Sequence, residues 1–397
     1  MPDRSAEMIP PGRSSRVFGL DFLRALAIAG VLFAHGFGLL YPQMPAWFGL
    51  FGHGGFYGVE LFFVLSGFLI GRILIRQGSD LANASTVSVF YIRRWFRTLP
   101  LFWLFLFLNV LLEIQIKGHR LSLGEVLEHG FFLRTLTAYH PIFFPESWSL
   151  AIEEWFYLLF PAAVWLGLRV EKSFVRVFLT VAAGFFLFST VGRMLSANGA
   201  EVTWAQWQRV IVIYRFDGLM VGVFAAWISL RWPDLWRSRP RHLAIIGCLL
   251  LLGLYASLWR WEGGQFVFGP DDYFARTFRF NLVSLGFALL LPFASLWKIE
   301  RENFASLTVR KIALWSYALY LIHLPLFQLL MQYGYQDWRS SLPHALILFI
   351  LTVGGSILLS ALLFRFYERP CTGLRDRVAP AMAKAFTSPT RRASPKT

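Results

Sequence analysis

A histidine and an arginine share one face of the first apolar segment of the chain. Arg24 and His35 are 11 residues apart, so a helix would place them within about 20° of one face and about 16 Å apart along its axis. An ionisable group in a membrane span costs about 2.5–3.5 kcal/mol, so such groups are functional candidates. Arg24 could bind an anion and His35 could act as a general base. The alternative is an arginine that snorkels to the headgroups and a histidine bonded to a backbone carbonyl.

Carboxylates in two other apolar segments are candidate partners for this histidine. Glu60 lies in the second segment, at the predicted depth of His35, and Glu153 and Glu154 lie in the fourth, about one turn inside the predicted membrane. A carboxylate beside an imidazole can orient the ring and raise its basicity. We therefore predict His35, Glu60, Glu153 and Glu154 as catalytic residues, with Glu153 or Glu60 orienting His35.

Hydroxyl groups and a second imidazole are candidates for holding a substrate. Ser149, Glu153 and Tyr157 follow one another at intervals of four residues and so share a helical face. Tyr320 lies three residues before His323 in the ninth apolar segment, close to the same face. Nothing in these patterns calls for a metal ion, and no metal site is predicted. The predicted supporting residues are Ser66, Ser149, Tyr157, Tyr320 and His323.

Three arginines lie just before the third apolar segment. They are Arg93, Arg94 and Arg97, and the last two share a face at i, i+3. The planar guanidinium group binds two oxygens at once, which suits recognition of phosphate. Ordinary positive-inside anchoring is the alternative. We predict that Arg24, Arg93, Arg94 and Arg97 bind a phosphate-bearing donor, and that Glu368 pairs with this arginine cluster.

These residues lie in a chain whose composition indicates a membrane protein. Of its 397 residues 56% are apolar and only 15% are charged, whereas a soluble domain has about 25% charged residues. Membrane spans need about 20 mainly apolar residues. We predict an all-α integral membrane protein with about ten transmembrane helices, near 18–39, 56–75, 98–116, 148–168, 174–195, 208–230, 242–260, 279–297, 312–333 and 344–366.

The basic residues orient the predicted bundle. With the N-terminus in the cytosol, 27 of the 38 Lys and Arg residues lie in cytoplasmic segments, which predicts that both termini are cytoplasmic. Residues 1–16 are then a cytoplasmic segment and 371–397 a basic, disordered cytoplasmic tail. In the outer loop 117–147, the stretch 126–136 could form a short interfacial or re-entrant helix. The net charge of +15 is spread between spans, so a nucleic-acid partner is not predicted.

Six short blocks, in this order, resemble the acyltransferase-3 family of integral membrane acyltransferases. Arg24 to His35 is similar to the family's arginine–ten residues–histidine pattern, and Arg94 with Arg97 to its R-x-x-R pair. The glycine-rich block 58–67 resembles GVD-FF-SG, with Glu60 in place of the more usual Asp. The remaining blocks are W-S-L-x-x-E-E-x-F-Y at 148–157, S-Y-x-x-Y-x-x-H-x-P at 316–325 and E-R-P at 368–370.

The resemblance implies an O-acyltransferase of the bacterial cytoplasmic membrane. Its members move an acyl group, often acetyl, from cytosolic acyl-coenzyme A to a hydroxyl of a carbohydrate, glycolipid or glycosylated small molecule. Acyl-CoA would be a donor substrate, with no permanently bound cofactor, and a covalent acyl-histidine remains open. The chain ends 27 residues after Pro370, so it resembles the stand-alone form without an SGNH domain, which could use a separate periplasmic transferase.

A transporter or flippase of a lipid-linked or acylated substrate is the competing class. Charged residues and glycine breaks inside spans would serve such a protein too. The chain shows no repeated halves, which disfavours this class. Release of free coenzyme A discriminates between the two, because a transporter does not cleave a thioester.

Overall fold

Ten long helices form most of the protein. The computed structural model describes residues 17–40, 52, 54–137, 143–197, 208–262, 265–269, 272–338, 341–376 and 378. Within them the helices of 16 residues or more are α1 (Phe18–Leu40), α2 (Gly55–Gln77), α3 (Ala84–Gln115), α4 (Ser147–Val170), α5 (Phe174–Ser196), α6 (Phe216–Arg231), α7 (Pro240–Ala256), α8 (Arg279–Leu296), α9 (Phe304–Trp338) and α10 (Leu342–Leu363).

Shorter elements connect these helices. Two strands, Trp259–Glu262 and Gln265–Phe268, pair antiparallel with Trp259 opposite Phe268. Short helical turns complete the described part, at Gly78–Ala82, Leu123–Gly130, Val212–Tyr214, Pro233–Ser238, Tyr273–Arg276 and Phe364–Glu368. The structure is therefore almost wholly helical, as predicted.

The helices suit a membrane-spanning bundle. Eight of those in the described residues are long and apolar enough to cross a bilayer, while α6 and α7 have only 16 and 17 residues. Each of the ten predicted spans overlaps one of the long helices. The prediction of a multi-pass membrane protein is confirmed, and the count of ten spans stays a prediction.

Several helix boundaries differ from those predicted, and the starts of the third, sixth and ninth helices differ most: the ninth begins at Phe304 instead of residue 312. The third helix begins at Ala84, well before residue 98, because the polar and arginine-rich stretch before the apolar run is also helical. The sixth begins at Phe216 instead of residue 208, because Arg215 has a non-helical backbone (φ −127°, ψ 7°) and Val212–Tyr214 forms a separate turn. Arg215 is thereby held at the start of α6.

The predicted loop and tail also differ in part from the structure. The loop helix covers only Leu123–Gly130, and a capping box of Ser122 and Glu125 fixes its start. At the other end of the chain, residues 371–376 are helical although the predicted tail begins at 371. The rest of the tail, apart from Val378, lies outside the described residues, as does the predicted segment 1–16.

Glycines bring α2 and α6 into backbone contact. A Cβ atom on Gly67 would lie 1.9 Å from the main-chain oxygen of Leu219, and one on Gly222 would lie 2.2 Å from that of Val64. No side chain fits at either distance, so only glycine allows this approach. Such close packing is typical of helices in membranes, and it fixes α2 against α6.

Two buried ion pairs join the helices around α6. Arg193 of α5 donates to both carboxylate oxygens of Asp217, at 3.0 and 2.8 Å, and the Asn281 amide of α8 donates to the same carboxylate at 2.9 Å. Arg215 donates to the Glu60 carboxylate of α2. All four charged side chains are at most 1% exposed. A buried charge is tolerated when it is paired and hydrogen-bonded, so these pairs hold α2, α5, α6 and α8 in register.

Candidate active site

A cavity of about 270 Å³ lies among α1, α2, α3, α4 and α9. Its lining includes eight residues that sequence reasoning selected, together with apolar side chains of α2 such as Val59, Phe63 and Ile73. The remaining five predicted residues, His35, Glu60, Arg93, Glu154 and His323, are not among the lining residues. The eight that line it are Arg24, Ser66, Arg94, Arg97, Ser149, Glu153, Tyr157 and Tyr320.

Three arginines line one part of this cavity. Arg24 forms an ion pair with Asp21 one turn earlier in α1 (3.2 Å). Arg97 is exposed, and Arg94 lies with its guanidinium 4.1 Å from the centre of the Tyr157 ring. Glu368 lies within electrostatic range of Arg97, and its pairing with the arginine cluster stays a prediction. A cavity wall with three guanidinium groups is suited to bind an anion.

Arg93 is separated from the other two arginines of its cluster. Its side chain is exposed and is not part of the cavity lining. Residues one apart on a helix point about 100° from each other, so Arg93 and Arg94 diverge while Arg94 and Arg97 stay together. Arg93 therefore serves best as an internal control for the other two.

Glu153 occupies the middle of the cavity and is held from two helices. Its Oε1 accepts a hydrogen bond from the Ser66 hydroxyl of α2 (2.9 Å), and its Oε2 accepts one from the Tyr157 hydroxyl one turn along α4 (2.7 Å). The predicted shared face of Ser149, Glu153 and Tyr157 thus faces the cavity. Glu154 points away from it, as its position about 100° around α4 requires, and bonds to Thr98.

The hydroxyl groups of Ser149 and Tyr320 contact each other at another part of the cavity lining. The Ser149 Oγ and Tyr320 Oη atoms are 2.5 Å apart, and both hydroxyls also lie against the main-chain oxygen of Glu146, at 3.2 and 3.3 Å. Ser149 belongs to α4 and Tyr320 to α9, so this contact joins the two helices. Hydroxyl groups at such a position can donate hydrogen bonds to a carbonyl oxygen.

His35 and His323 form a hydrogen-bonded pair beside these hydroxyls. Nδ1 of His35 lies 2.8 Å from Nε2 of His323, and the rings stack with centroids 4.9 Å apart. The His323 ring centroid is 5.8 Å from that of Tyr320, which places the pair next to the cavity. His323 is fully buried, whereas His35 is exposed.

The hydrogen bonds define which nitrogen of each neutral ring carries the proton. Nδ1 of His323 lies 3.1 Å from the main-chain oxygen of Leu319, and a carbonyl can only accept, so this nitrogen is protonated. Nε2 of His323 is then the acceptor, and Nδ1 of His35 must donate to it. Among the residues that the structure describes, none bonds to Nε2 of His35, which keeps a free lone pair, the requirement for a general base.

The two carboxylates that were predicted to orient His35 bind other side chains in the structure. Glu60 forms its ion pair with Arg215, and Glu153 accepts from Ser66 and Tyr157. The prediction that one of these carboxylates orients His35 does not match this arrangement, because His323 occupies that position. Glu60 is placed as a structural ion-pair partner, while Glu153 remains a cavity residue.

Sequence reasoning missed two residues near this site. The Arg209 guanidinium lies 5.2 Å from the Trp148 ring centroid and within electrostatic range of Tyr320. Glu146 is buried at the start of α4 and contacts Ser149 and Tyr320 through its main chain. Glu146 lies just before the predicted fourth span and Arg209 at the first residues of the predicted sixth, where a charged residue looks like ordinary loop surface.

The fold defines a multi-pass membrane protein, and three arginines line its internal cavity. The sequence profile of the acyltransferase-3 family, described as an acyltransferase domain, matches residues 17–361. The chain therefore belongs to this family of acyltransferases, as the six sequence blocks predicted.

Curated bacterial relatives point in the same direction. The chain is 26% identical over 370 residues to the O-acetyltransferase OatA of Staphylococcus aureus. The matched region covers 89% of this chain and 56% of that protein. It is 30% identical over 185 residues to the peptidoglycan O-acetyltransferase OatA of Listeria monocytogenes, with 43% of this chain and 28% of that protein covered. The chain thus spans about half or less of these relatives. No solved structure matches it.

Proposed function

We propose that the protein is a membrane O-acyltransferase that moves an acetyl group from cytosolic acetyl-coenzyme A to a hydroxyl of a carbohydrate. The observation that carries this proposal is the free Nε2 of His35 beside a cavity that three arginines line. The relatives are named as O-acetyltransferases, one of them of peptidoglycan, which supports acetyl as the group and a carbohydrate polymer as the class of acceptor.

The arginines account for binding of the donor. Coenzyme A carries phosphates, and Arg24, Arg94 and Arg97 offer guanidinium groups to them at the predicted cytosolic side. The cavity of about 270 Å³ is near the lower end of the about 300–1,000 Å³ typical of small-molecule pockets. It suits the slender pantetheine arm and leaves the nucleotide at the arginine end.

The histidine pair accounts for the chemistry. Nε2 of His35 removes the proton of the acceptor hydroxyl as its oxygen attacks the thioester carbonyl carbon. The carbon–sulfur bond then breaks, and the proton passes from His35 to the departing sulfur, which gives an ester and free coenzyme A. The hydroxyls of Ser149 and Tyr320 lie beside the histidine pair, and one of them would turn its proton from the main-chain oxygen of Glu146 to the carbonyl oxygen and stabilise the negative charge that develops there.

The test uses membranes from the source bacterium, which contain the natural acceptor. Membranes with the wild-type chain should transfer label from [¹⁴C]acetyl-CoA to envelope carbohydrate and release coenzyme A. His35→Ala should lower both rates by about 10²–10⁴-fold. Wild-type membranes that move neither label nor coenzyme A would contradict the proposed reaction, and undiminished turnover in His35→Ala would contradict the role of His35.

A further inference from the structure

Glu146 carries a buried carboxyl group that the proposed reaction does not use. The residue directly precedes α4 and is only 2% exposed. Neither of its carboxyl oxygens has a hydrogen-bond partner on another residue within the part of the chain that the structure describes, and its own main-chain N–H is the one backbone group that contacts the carboxyl. The packing of the protein thus leaves two buried oxygen atoms available to a ligand.

The position of Glu146 ties it to the active site. Its main-chain oxygen accepts hydrogen bonds from the hydroxyls of Ser149 and Tyr320, which line the cavity. Its carboxyl lies within electrostatic range of the Tyr320 hydroxyl and of Lys117, which follows α3 in the predicted outer loop. Glu146 therefore lies at the predicted outer end of the site, where an extracytoplasmic acceptor would arrive.

The chemical state of this carboxyl limits what it can bind. Burial raises the pKa of Glu146 to about 8, so the group is mainly protonated at neutral pH. A protonated carboxyl offers one O–H donor together with acceptor oxygens. This combination matches hydroxyl groups, which also donate and accept, and it is a poor match for a metal ion.

A purely structural role does not account for the residue. A buried polar group without a partner destabilises a fold, and an apolar side chain of the same shape is as good or better. Such exceptions are few in proteins and call for a reason. A hydrogen-bonding ligand that binds during turnover provides one.

We propose that Glu146 is the acceptor-binding residue, and that its carboxyl hydrogen-bonds hydroxyl groups of the carbohydrate on the outer side of the cavity. This inference rests on the proposed function and adds the site at which the acceptor is held. His35 remains the base, and Glu146 positions the sugar so that one hydroxyl reaches it.

The test compares Glu146→Met, which keeps length and removes hydrogen bonding, with Glu146→Gln, whose amide still donates and accepts. Glu128→Met is the matched control, since Glu128 is a carboxylate of the same predicted outer side that pairs with Arg134 (2.7 Å). Three quantities are measured: transfer of label to envelope carbohydrate in membranes, binding of acetonyl-CoA (a thioether analogue of the donor) to purified protein, and thermal stability in detergent.

Glu146→Met should lower transfer at least tenfold while acetonyl-CoA binding and the thermal midpoint are unchanged or higher. Glu146→Gln should stay within threefold of wild type, and Glu128→Met should match wild type. Wild-type transfer of label in Glu146→Met overturns the inference. A joint loss of transfer, acetonyl-CoA binding and thermal stability in Glu146→Met and Glu146→Gln overturns it as well. If the wild type itself neither binds acetonyl-CoA nor transfers label, the proposed function fails instead.

Discussion

Nδ1 of His35 donates to Nε2 of His323 across 2.8 Å, and the main-chain oxygen of Leu319 fixes the direction of that bond. Although His35 and His323 are 288 residues apart, the two rings act as one unit. In the proposed reaction His323 is a positioning residue, because it holds the ring and tautomer of His35 without touching the reacting atoms.

The first prediction concerns this positioning. His323→Ala should lower kcat up to about 10²-fold, since a misplaced catalytic group costs a factor of that order, with little change in the KM for acetyl-CoA. His323→Gln should recover part of the rate, because its amide oxygen can accept from Nδ1 of His35. Steady-state release of coenzyme A measures both. Equal loss in the two variants would show that the hydrogen bond is not what matters.

The second prediction concerns the donor end. Arg97→Ala should raise the KM for acetyl-CoA about tenfold or more, because a hydrogen bond to a charged group contributes about 1.5–3 kcal/mol. Arg93→Ala is the matched control and should leave KM within about twofold, because Arg93 does not line the cavity. Equal effects of both substitutions would mean that the cluster acts only through its net charge.

The third prediction separates Glu60 from catalysis. Glu60→Gln removes the charge that balances Arg215, and breaking a buried pair costs about 3–5 kcal/mol. The thermal midpoint in detergent should therefore fall, and replacing both residues by Glu60→Leu and Arg215→Met should recover much of it. The control is Glu302→Gln, whose pair with Arg310 is partly exposed (3.1 Å) and should contribute less than about 1 kcal/mol. A stable but inactive Glu60→Gln protein would restore a catalytic role.

The fourth prediction follows from the protonation of Glu146. Since its pKa is about 8, the O–H donor is present below that pH and lost above it. Transfer to the carbohydrate at limiting acceptor should therefore decline as pH rises through about 8, and this decline should be absent in Glu146→Gln. A wild-type profile that matches that of the Gln variant would contradict the assignment.

The pH dependence of thermal stability should also reflect the ionisation of Glu146. Burial raises the pKa of Glu146 above its ordinary value of 4.5, so between pH 4.5 and about 8 the folded protein binds more protons at this residue than the unfolded chain. Its stabilising contribution is complete below pH 4.5 and is lost as the pH rises to about 8. Thermal midpoints should fall less steeply over this range in Glu146→Gln than in the wild type.

Helical spacing predicted much of the site. The repeat of Ser149, Glu153 and Tyr157 and the i, i+3 pair Arg94 and Arg97 are properties of one helix, and each set faces the cavity. These features depend only on local geometry, which the order of residues determines.

Contacts between helices could not be predicted in the same way. Nothing near His35 indicates His323 as its neighbour, and nothing near Glu60 indicates Arg215. A carboxylate, an imidazole and a guanidinium each accept several partners of similar energy, so the choice depends on how the helices pack. Glu146 was missed for a different reason: its burial comes from neighbouring elements and not from its own segment.

The backbone contact between α2 and α6 determines which wall of the cavity can move. At Gly67 and Gly222, one face of α2 packs directly against the main chain of α6. Another face of α2 carries Ser66, Phe63 and Ile73, which line the cavity. Any sliding of α2 would drive backbone atoms into each other. We therefore expect that the proposed donor, if it is wider than the cavity, enters by displacing α3, α4 or α9, while α2 stays in place.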